Sequence, residues 1–440
     1  MELLWLKRHK KMLERAAKPL HRQKRLLGET DSSEEEDDER RYPHMIKTLK
    51  EAEECIIRGR HMLLQNFKRI AYNTFKKHFP RGAAITEVED FYWSFVLLGS
   101  EHVCVNSASI DTGPEGYGFT KNEDEPYGSH PWNLKMLSKN NGNVLRLLGP
   151  VLGLTVPTLH LGMVFSTSCW HRDPHGLPWM EYMHQGPSKI WYGIPDQESE
   201  RFRKAVEISC PTACQNKSLW LPSDITMIPP NLLLEHDVSL SRVVQNPGEF
   251  IIVFPKSYSC SICTGYTISE SVYFATNSWV NSINQVFQEL RESCEPSMFS
   301  LEQILISAAR DPRASLTMLQ LVHANLAQII DEERDNRAIV ESYGLVPRIH
   351  TREYNSGSWT VRDEDECEIC RTALYISRVK GVFRKNGSLC LPHVIQVLED
   401  KDKKISKRAI TTYEFDVFFT IEELNEIIST SKKRLLNQAK

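Results

Sequence analysis

The chain has 440 residues, 41% of them hydrophobic and 25% charged, with a formal net charge of −3. That length leaves room for two or three folded units at roughly 100–200 residues each, and the near-balance of charge removes any bulk-charge argument for nucleic-acid binding. No run of about eighteen apolar residues occurs and Met1-Glu2-Leu3-Leu4-Trp5 lacks the basic-then-apolar order of a secretory leader, so neither a membrane span nor secretion is expected.

Residues 1–43 read as a disordered charged linker. Lys7, Arg8, Lys10, Lys11, Arg15, Lys18, Arg22, Lys24 and Arg25 stand against only Glu2 and Glu14 before the sign reverses in Asp31-Ser32-Ser33-Glu34-Glu35-Glu36-Asp37-Asp38-Glu39. Such blocks repel themselves and stay solvated. The basic half also suits a nuclear import signal or contact with nucleic-acid phosphates. An opening on such a linker suggests a piece of something longer. Residues 44–124 form a helical region leading into a barrel. Ile46, Leu49, Ala52 and Ile56, then Leu63, Phe67, Ile70 and Phe75, keep helical spacing until Pro80-Arg81-Gly82 stops it. A second helix is predicted from Thr86 as N-cap, with Glu89 closing a capping box, through Tyr92, Trp93, Phe95 and Val96.

From about 102 to 280 the texture changes to short β-rich runs separated by Gly, Pro and Asn. His102-Val103-Cys104-Val105, the run from Leu159 to Phe165, Lys189-Ile190-Trp191-Tyr192 and the run from Glu249 to Phe254 are examples. Many short strands with regular turn signals predict a barrel or jelly roll, with Val164, Trp191, Tyr192, Ile252 and Phe254 in its core. Residues 281–345 return to helix, with Leu301, Ile304, Leu305 and Ala308, then Leu319, Val322, Leu326, Ile329 and Ile330 on the apolar face. A polar loop around Tyr354-Asn355-Ser356-Gly357-Ser358 leads into a compact Cys/His segment.

That segment carries the stronger of two metal signals. Cys367-Glu368-Ile369-Cys370 and Cys390-Leu391-Pro392-His393 are two x2-spaced pairs about twenty residues apart, the spacing of structural zinc sites. Four protein ligands leave no open position, so the zinc here is structural. Leu374, Ile376, Val379, Val382 and Phe383 between the pairs fit the strands of a treble clef or ribbon. The other cysteines complete an odd total at uneven spacing, which suits a reducing, intracellular compartment better than a disulfide framework. Cys210 and Cys214 have no usable spacing.

The second signal is His171-Arg172-Asp173. On a strand, residues two apart share a face, which is how a barrel presents two members of a two-histidine, one-carboxylate iron site. The third member belongs on a strand near the far end, where the chain reads Tyr258-Ser259-Cys260-Ser261 with no histidine. Cys260 lies one residue along and points to the opposite face, and Cys263 reaches only if the strand has ended. Both read as small core residues, and His175 and His184 as hydrogen-bonding rather than metal-binding.

The framework around His171 resembles a known family. Gly162 to Trp170-His171, Tyr182-Met183-His184-Gln185-Gly186, Lys189 to Pro195 and Gly248 to Pro255 are similar to the JmjC domain. Those are double-stranded β-helix oxygenases that demethylate histone lysines with Fe(II) and 2-oxoglutarate. Trp132-Asn133-Leu134 and the Tyr92-Trp93 helix match the entry to that domain. The helical region and the Cys/His segment resemble the stretch and zinc finger on the C-terminal side of JmjC in the Jumonji/ARID group. The resemblance implies an α+β chain, a JmjC barrel over 125–291, helices over 292–350, a linker over 351–366 and a zinc-finger module over 367–430. It also implies that His171 and Asp173 match the first two iron ligands, Ser259 stands at the distal histidine, and Lys189 matches the lysine that holds the far carboxylate of 2-oxoglutarate. Trp179 stands where a small hydroxyl residue is expected, Glu181 and Tyr273 where asparagines are. An indole fills the cofactor cavity and Glu181 faces a dianion at close range, so neither Fe(II) nor 2-oxoglutarate is expected to bind. The run from Gly162 to Trp170 and the reduced zinc finger resemble a demethylase-inactive branch of the group. That implies a nuclear, chromatin-associated corepressor with histones and Polycomb repressive complex components as partners, and DNA as a further candidate. The JmjN, ARID and Polycomb-binding segments of that branch are not recognisable here. Two alternatives stay open: a 2-oxoglutarate-dependent demethylase or hydroxylase with a rearranged metal site, and a nucleic-acid-binding protein acting through residues 7–25.

Overall fold

Alternation of inward and outward side chains between residues 158 and 273 needs two sheets to bury it, and two antiparallel sheets are what the chain forms. The structure, a computed structural model, describes residues 62–98, 108–110, 118–120, 122, 124–209, 227–293, 297–350, 365–383, 385–400, 410 and 412–438. The charged segment 1–43, the first predicted helix before residue 62, the run His102 to Val105, Cys210, Cys214 and the loop around Tyr354 lie outside them.

One sheet joins β1 (Ala108–Ile110), β2 (Thr158–Gly162), β9 (Thr267–Tyr273), β4 (Trp179–Gln185) and β7 (Phe250–Val253) in that order. The facing sheet runs β3 (Thr167–His171), β8 (Tyr258–Cys263), β5 (Lys189–Ile194) and β6 (Ser241–Gln245). Outside this second sheet a core of Trp170, Ile190, Tyr192, Cys260 and Ile262 receives α1 (Leu64–His78) and α2 (Ile85–Leu98). Phe75 and Phe79 of α1 and its C-cap pack into that core beside Phe165. The start of α2 departs from the sequence expectation. The helix begins one residue before Thr86, and the Glu87 carboxylate accepts from Ala84 N at 2.6 Å. Glu89 is thereby free of any capping duty; its carboxylate accepts from Arg242 Nε at 2.7 Å and from the Tyr192 hydroxyl, clasping α2 to β5 and β6.

Of the predicted barrel core, Val164, Trp191 and Tyr192 are buried, but only Trp191 lies between the two sheets, Val164 and Tyr192 belonging to the core under α1 and α2, and the expectation is wrong by one position in β7. Val253 faces inward, whereas Ile252 is 38% and Phe254 70% exposed. A one-residue difference in parity exchanges the faces of a whole strand, and an uninterrupted apolar run such as Phe250 to Phe254 carries no alternation to fix it.

Below the sheets, α4 (Ile283–Ser293), α5 (Leu301–Arg310), α6 (Leu316–Ser342) and α8 (Ile421–Gln438) build a second core around Phe299, Leu305, Leu319, Val322 and Leu424. Two further helices are α3 (Ser199–Ser209), after β5, and α7 (Leu391–Glu399), after β12. Ser300 and Ser315 cap α5 and α6, accepting from Gln303 N at 2.9 Å and Met318 N at 3.3 Å. A third sheet, β10 (Pro347–Ile349), β13 (Glu414–Val417), β11 (Ser377–Lys380) and β12 (Ser388–Leu389), carries the Cys/His segment with α7.

His175 links the barrel to the helices. It is fully buried, its Nε2 accepts from Met298 N at 3.2 Å, and its ring stacks on Phe299 with centroids 4.7 Å apart. Burial pulls its pKa from 6.5 down to about 3. The unfolded chain therefore takes the proton first, so this contribution to stability is complete above pH 6.5 and is lost as pH falls from 6.5 toward 3. His175→Gln, whose amide oxygen can still accept from Met298, is expected to flatten the loss of unfolding free energy between about pH 6.5 and 5 by about 1.5 kcal/mol in urea titrations.

Candidate functional site

Strand register decides which side chains share the interior. Across β3 and β8, His171 is directly opposite Ser259. Across β5 and β8, Gly193 faces Ser259, Trp191 faces Ser261 and Lys189 faces Cys263. Across β4 and β9, Trp179 is opposite Tyr273 and Glu181 opposite Ser271. His171, Ser259, Ser261, Trp191, Lys189, Trp179, Glu181 and Tyr273 thus line one interior. Cys260 packs in the core outside the sheet, where burial pushes its thiol well up. Cys263 lies on the inner face four residues from Ser259 and accepts from the Thr267 hydroxyl at 3.3 Å.

At one end of this interior, His171 Nδ1 lies 2.7 Å from the Cys169 carbonyl. A carbonyl only accepts, so Nδ1 is the donor in this contact. β3 stops at His171, so strand parity does not set the direction of Asp173 as the sequence suggested; Asp173 lies in the following turn, where its Oδ2 accepts from Leu177 N at 2.7 Å. Ser259 Oγ and Ser261 Oγ are buried without a hydrogen-bond partner. His184 is remote from them and its Nε2 meets Glu270 Oε2 at 2.7 Å.

At the other end, Lys189 Nζ donates to both carboxylate oxygens of Glu181, at 2.8 and 3.0 Å. Lysine and glutamate are 5% and 2% exposed, so this is a dry ion pair bridging the two sheets. The ammonium also lies 4.6 Å from the centre of the Trp191 ring. Trp191 Nε1 donates to Gln245 Oε1 at 2.8 Å, and Gln245 Nε2 donates to the Glu181 carbonyl at 3.3 Å. Trp179 packs between Trp191, Tyr273 and His171, with centroids 5.6, 6.3 and 6.2 Å away. His160 borders the pair; burial and the Lys189 charge, partly offset by Glu181, hold its pKa at about 4.

The second cluster is separate. Ligand atoms of Cys367, Cys370, Cys390 and His393 all lie within 4.8 Å of one another. Cys367 and Cys370 flank a tight turn in which Arg371 N donates to the Cys367 carbonyl at 2.8 Å, with Arg371 at φ +57°. Cys390 is the residue before α7 and His393 lies in its first turn, so the helix start delivers the other two ligands together. His393 Nδ1 is 3.0 Å from Cys390 Sγ and 3.5 Å from Cys367 Sγ. Burial opposes protonation of His393, but the Cys367 and Cys370 sulfurs outweigh it and hold the pKa at about 9.

Residues 158–274 match the family model described as "JmjC domain, hydroxylase". The chain carries a JmjC domain. It is 32% identical to Protein Jumonji from Gallus gallus over 395 residues, 86% of this chain and 32% of that protein. It is 28% identical to Lysine-specific demethylase JMJ17 from Arabidopsis thaliana over 85% of this chain and 32% of the relative. Lysine-specific demethylase 5D from Homo sapiens is 28% identical over 84% of this chain and 24% of the relative. The chain therefore spans a quarter to a third of the length of these relatives.

Within the JmjC domain, the donors do not fit an iron site of two imidazoles and a carboxylate. His171 and Asp173 supply one of each, and the position facing His171 holds a neutral hydroxyl, a weak ligand beside imidazole. Nor do they fit 2-oxoglutarate. Lys189 is present, but its ammonium is already paired with Glu181, a partnership that the sequence alone did not show. The Cys367, Cys370, Cys390 and His393 group does fit a metal such as zinc: three sulfurs and one imidazole nitrogen converge from two short pairs, and no fifth side chain is needed. A bound ion there ties the knuckle to α7 and displaces the His393 proton. Gln245 and Ser261 escaped the sequence reading, although Ser261 was accessible by parity, two residues from Ser259.

Two outcomes are expected. Glu181→Gln leaves a buried ammonium without its charge partner and lowers unfolding free energy by about 3–5 kcal/mol, whereas Glu181→Leu with Lys189→Met stays within about 1–2 kcal/mol of the parent; chemical denaturation reads both. Cys370→Ser, or excess chelator, releases the ion and melts the packing of Val379, Leu389, Val394 and Phe415 around it, seen as a lost transition in calorimetry while the JmjC domain keeps its own.

Proposed function

We propose that this chain is a nuclear, chromatin-associated scaffold whose JmjC domain no longer turns over. Its two facing sheets are the double-stranded β-helix of that family, and its Cys/His module holds structural zinc. The reading rests foremost on the Lys189–Glu181 pair: the charge that would hold a keto-dicarboxylate is satisfied from within, at 2.8 Å, beneath a buried Trp179. Ser259 opposite His171 supports it independently. The similarity to Protein Jumonji supports a corepressor role, with histones and Polycomb repressive complex components as partners. A lysine demethylase with a rearranged site is the rival, favoured by the retained His171 and Asp173 and by the demethylase relatives.

Purified chain supplied with Fe(II) and 2-oxoglutarate separates the two. The scaffold reading expects about one zinc per chain, no stoichiometric iron and no succinate with methylated histone peptides. Stoichiometric iron with succinate release would establish the rival. The combined substitutions Ser259→His, Glu181→Asn and Trp179→Thr are expected to create 2-oxoglutarate binding, read by calorimetric titration, at least tenfold above the parent chain.

A further inference from the structure

We propose that the outward face of α1 is a nucleic-acid phosphate track, distinct from the charged segment at residues 7–25 and independent of whether the JmjC domain is active. From Met62 to Thr86 the chain has five cations, Lys68, Arg69, Lys76, Lys77 and Arg81, and no acidic residue. All five are exposed. The first carboxylate after them, Glu87, is turned back onto Ala84 N at the start of α2.

The helix geometry sorts these charges onto one side. At about 100° per residue, Lys68, Arg69, Lys76 and Lys77 fall on an arc that also holds exposed Tyr72 and Asn73. The opposite arc holds buried Ala71 and half-buried Phe67, Phe75 and His78. Those rings anchor α1: His78 meets Phe165 at 5.3 Å between centroids, and Phe67 meets Tyr266 at 6.2 Å. The cationic arc is therefore presented on a fixed rail. Arg69 and Lys76 are two turns apart, roughly 10 Å along the axis, and Arg81 extends the line past the helix end. Lys76 Nζ lies 5.9 Å from the Tyr72 ring, placing a cation beside an aromatic face that is 61% exposed. Cations interleaved with an exposed ring, with no carboxylate between residues 62 and 86, suit a phosphate backbone, with Tyr72 available to a splayed base. A face serving only solubility gains from mixed signs, and this one has a single sign.

The test uses the full chain, a random-sequence DNA duplex and a single strand of equal length, with affinity followed against salt. Replacing Arg69, Lys76, Lys77 and Arg81 together by Gln should weaken duplex binding at least tenfold at low salt and reduce the slope of log affinity on log salt by about 3–4. Arg69→Lys, Lys76→Arg, Lys77→Arg and Arg81→Lys together should keep both. Tyr72→Ala should weaken the single strand more than the duplex. An unchanged slope in the Gln variant overturns the proposal, as does binding that depends wholly on residues 7–25. Loss of binding to phosphatidylserine vesicles with no nucleic-acid affinity in the parent chain also overturns it. Equal melting temperatures of parent and Gln variant keep the comparison valid, and if the Gln variant does not fold, the single substitutions Arg69→Gln and Lys77→Gln must each lower the slope.

Discussion

A lysine ammonium cannot sit in a dry protein interior without an anion, and Lys189 sits in one. The anion can be a ligand that comes and goes or a side chain that stays. Glu181 makes it the second, reaching across from the opposite sheet with both oxygens. Once the charge is settled from within, the rest of the interior is free to be apolar. Trp179, Trp191 and Tyr273 fill it with ring contacts, and Gln245 satisfies the Trp191 indole N–H and ties the strand edges together.

The same economy joins the barrel to the rest of the molecule through a few buried polar contacts between otherwise apolar layers. His175 carries the barrel onto the helices, through Met298 N and through Trp279, whose indole donates to its carbonyl at 2.8 Å. Arg337 of α6 donates to the Phe419 carbonyl at 2.9 Å, and Ser297 accepts from Ala373 N at 2.7 Å, close to the Cys367–Cys370 turn. These contacts are directional where the packing around Phe299 and Leu305 is not, so they fix which faces meet.

Much of this was legible in the sequence because it depends on residue type and spacing alone. The two x2-spaced pairs announced the Cys/His cluster, and the helical periodicity of Leu301 to Ala308 and of Leu319 to Ile330 marked α5 and α6. The strand texture announced the antiparallel sheets, and the stretch from Tyr258 to Ser261, whose Ser259 pairs with His171, was visible as free of histidine. What failed depended on parity or partner. β7 lies in a run of five successive apolar residues, so nothing in it distinguishes Val253 from Ile252. Thr86 and Glu89 have capping spacing, but Glu87 reaches the helix start first, and Arg242, more than a hundred and fifty residues away, claims Glu89. The counter-ion of Glu181, eight residues along, likewise shows only once the two sheets face each other.

The two departures from an oxygenase site are independent, and that bears on how firmly the interior is committed. Ser259 and Cys263 mark the two ends of the inner face of β8, four residues and roughly 13 Å apart. His171 stands opposite the first and Lys189 opposite the second. A lysine side chain and a short dicarboxylate together span such a gap, so in a working site the two ends would act through one molecule. Here Ser259 stands at one end and the Lys189–Glu181 ion pair at the other. An imidazole restored at 259 would leave Lys189 neutralised, and an amide at 181 would leave the metal position one ligand short. Trp179 between them bars the middle. Glu181 is held by its ion pair with Lys189 and Trp179 by its ring contacts, while the Ser259 hydroxyl stays buried without a hydrogen-bond partner.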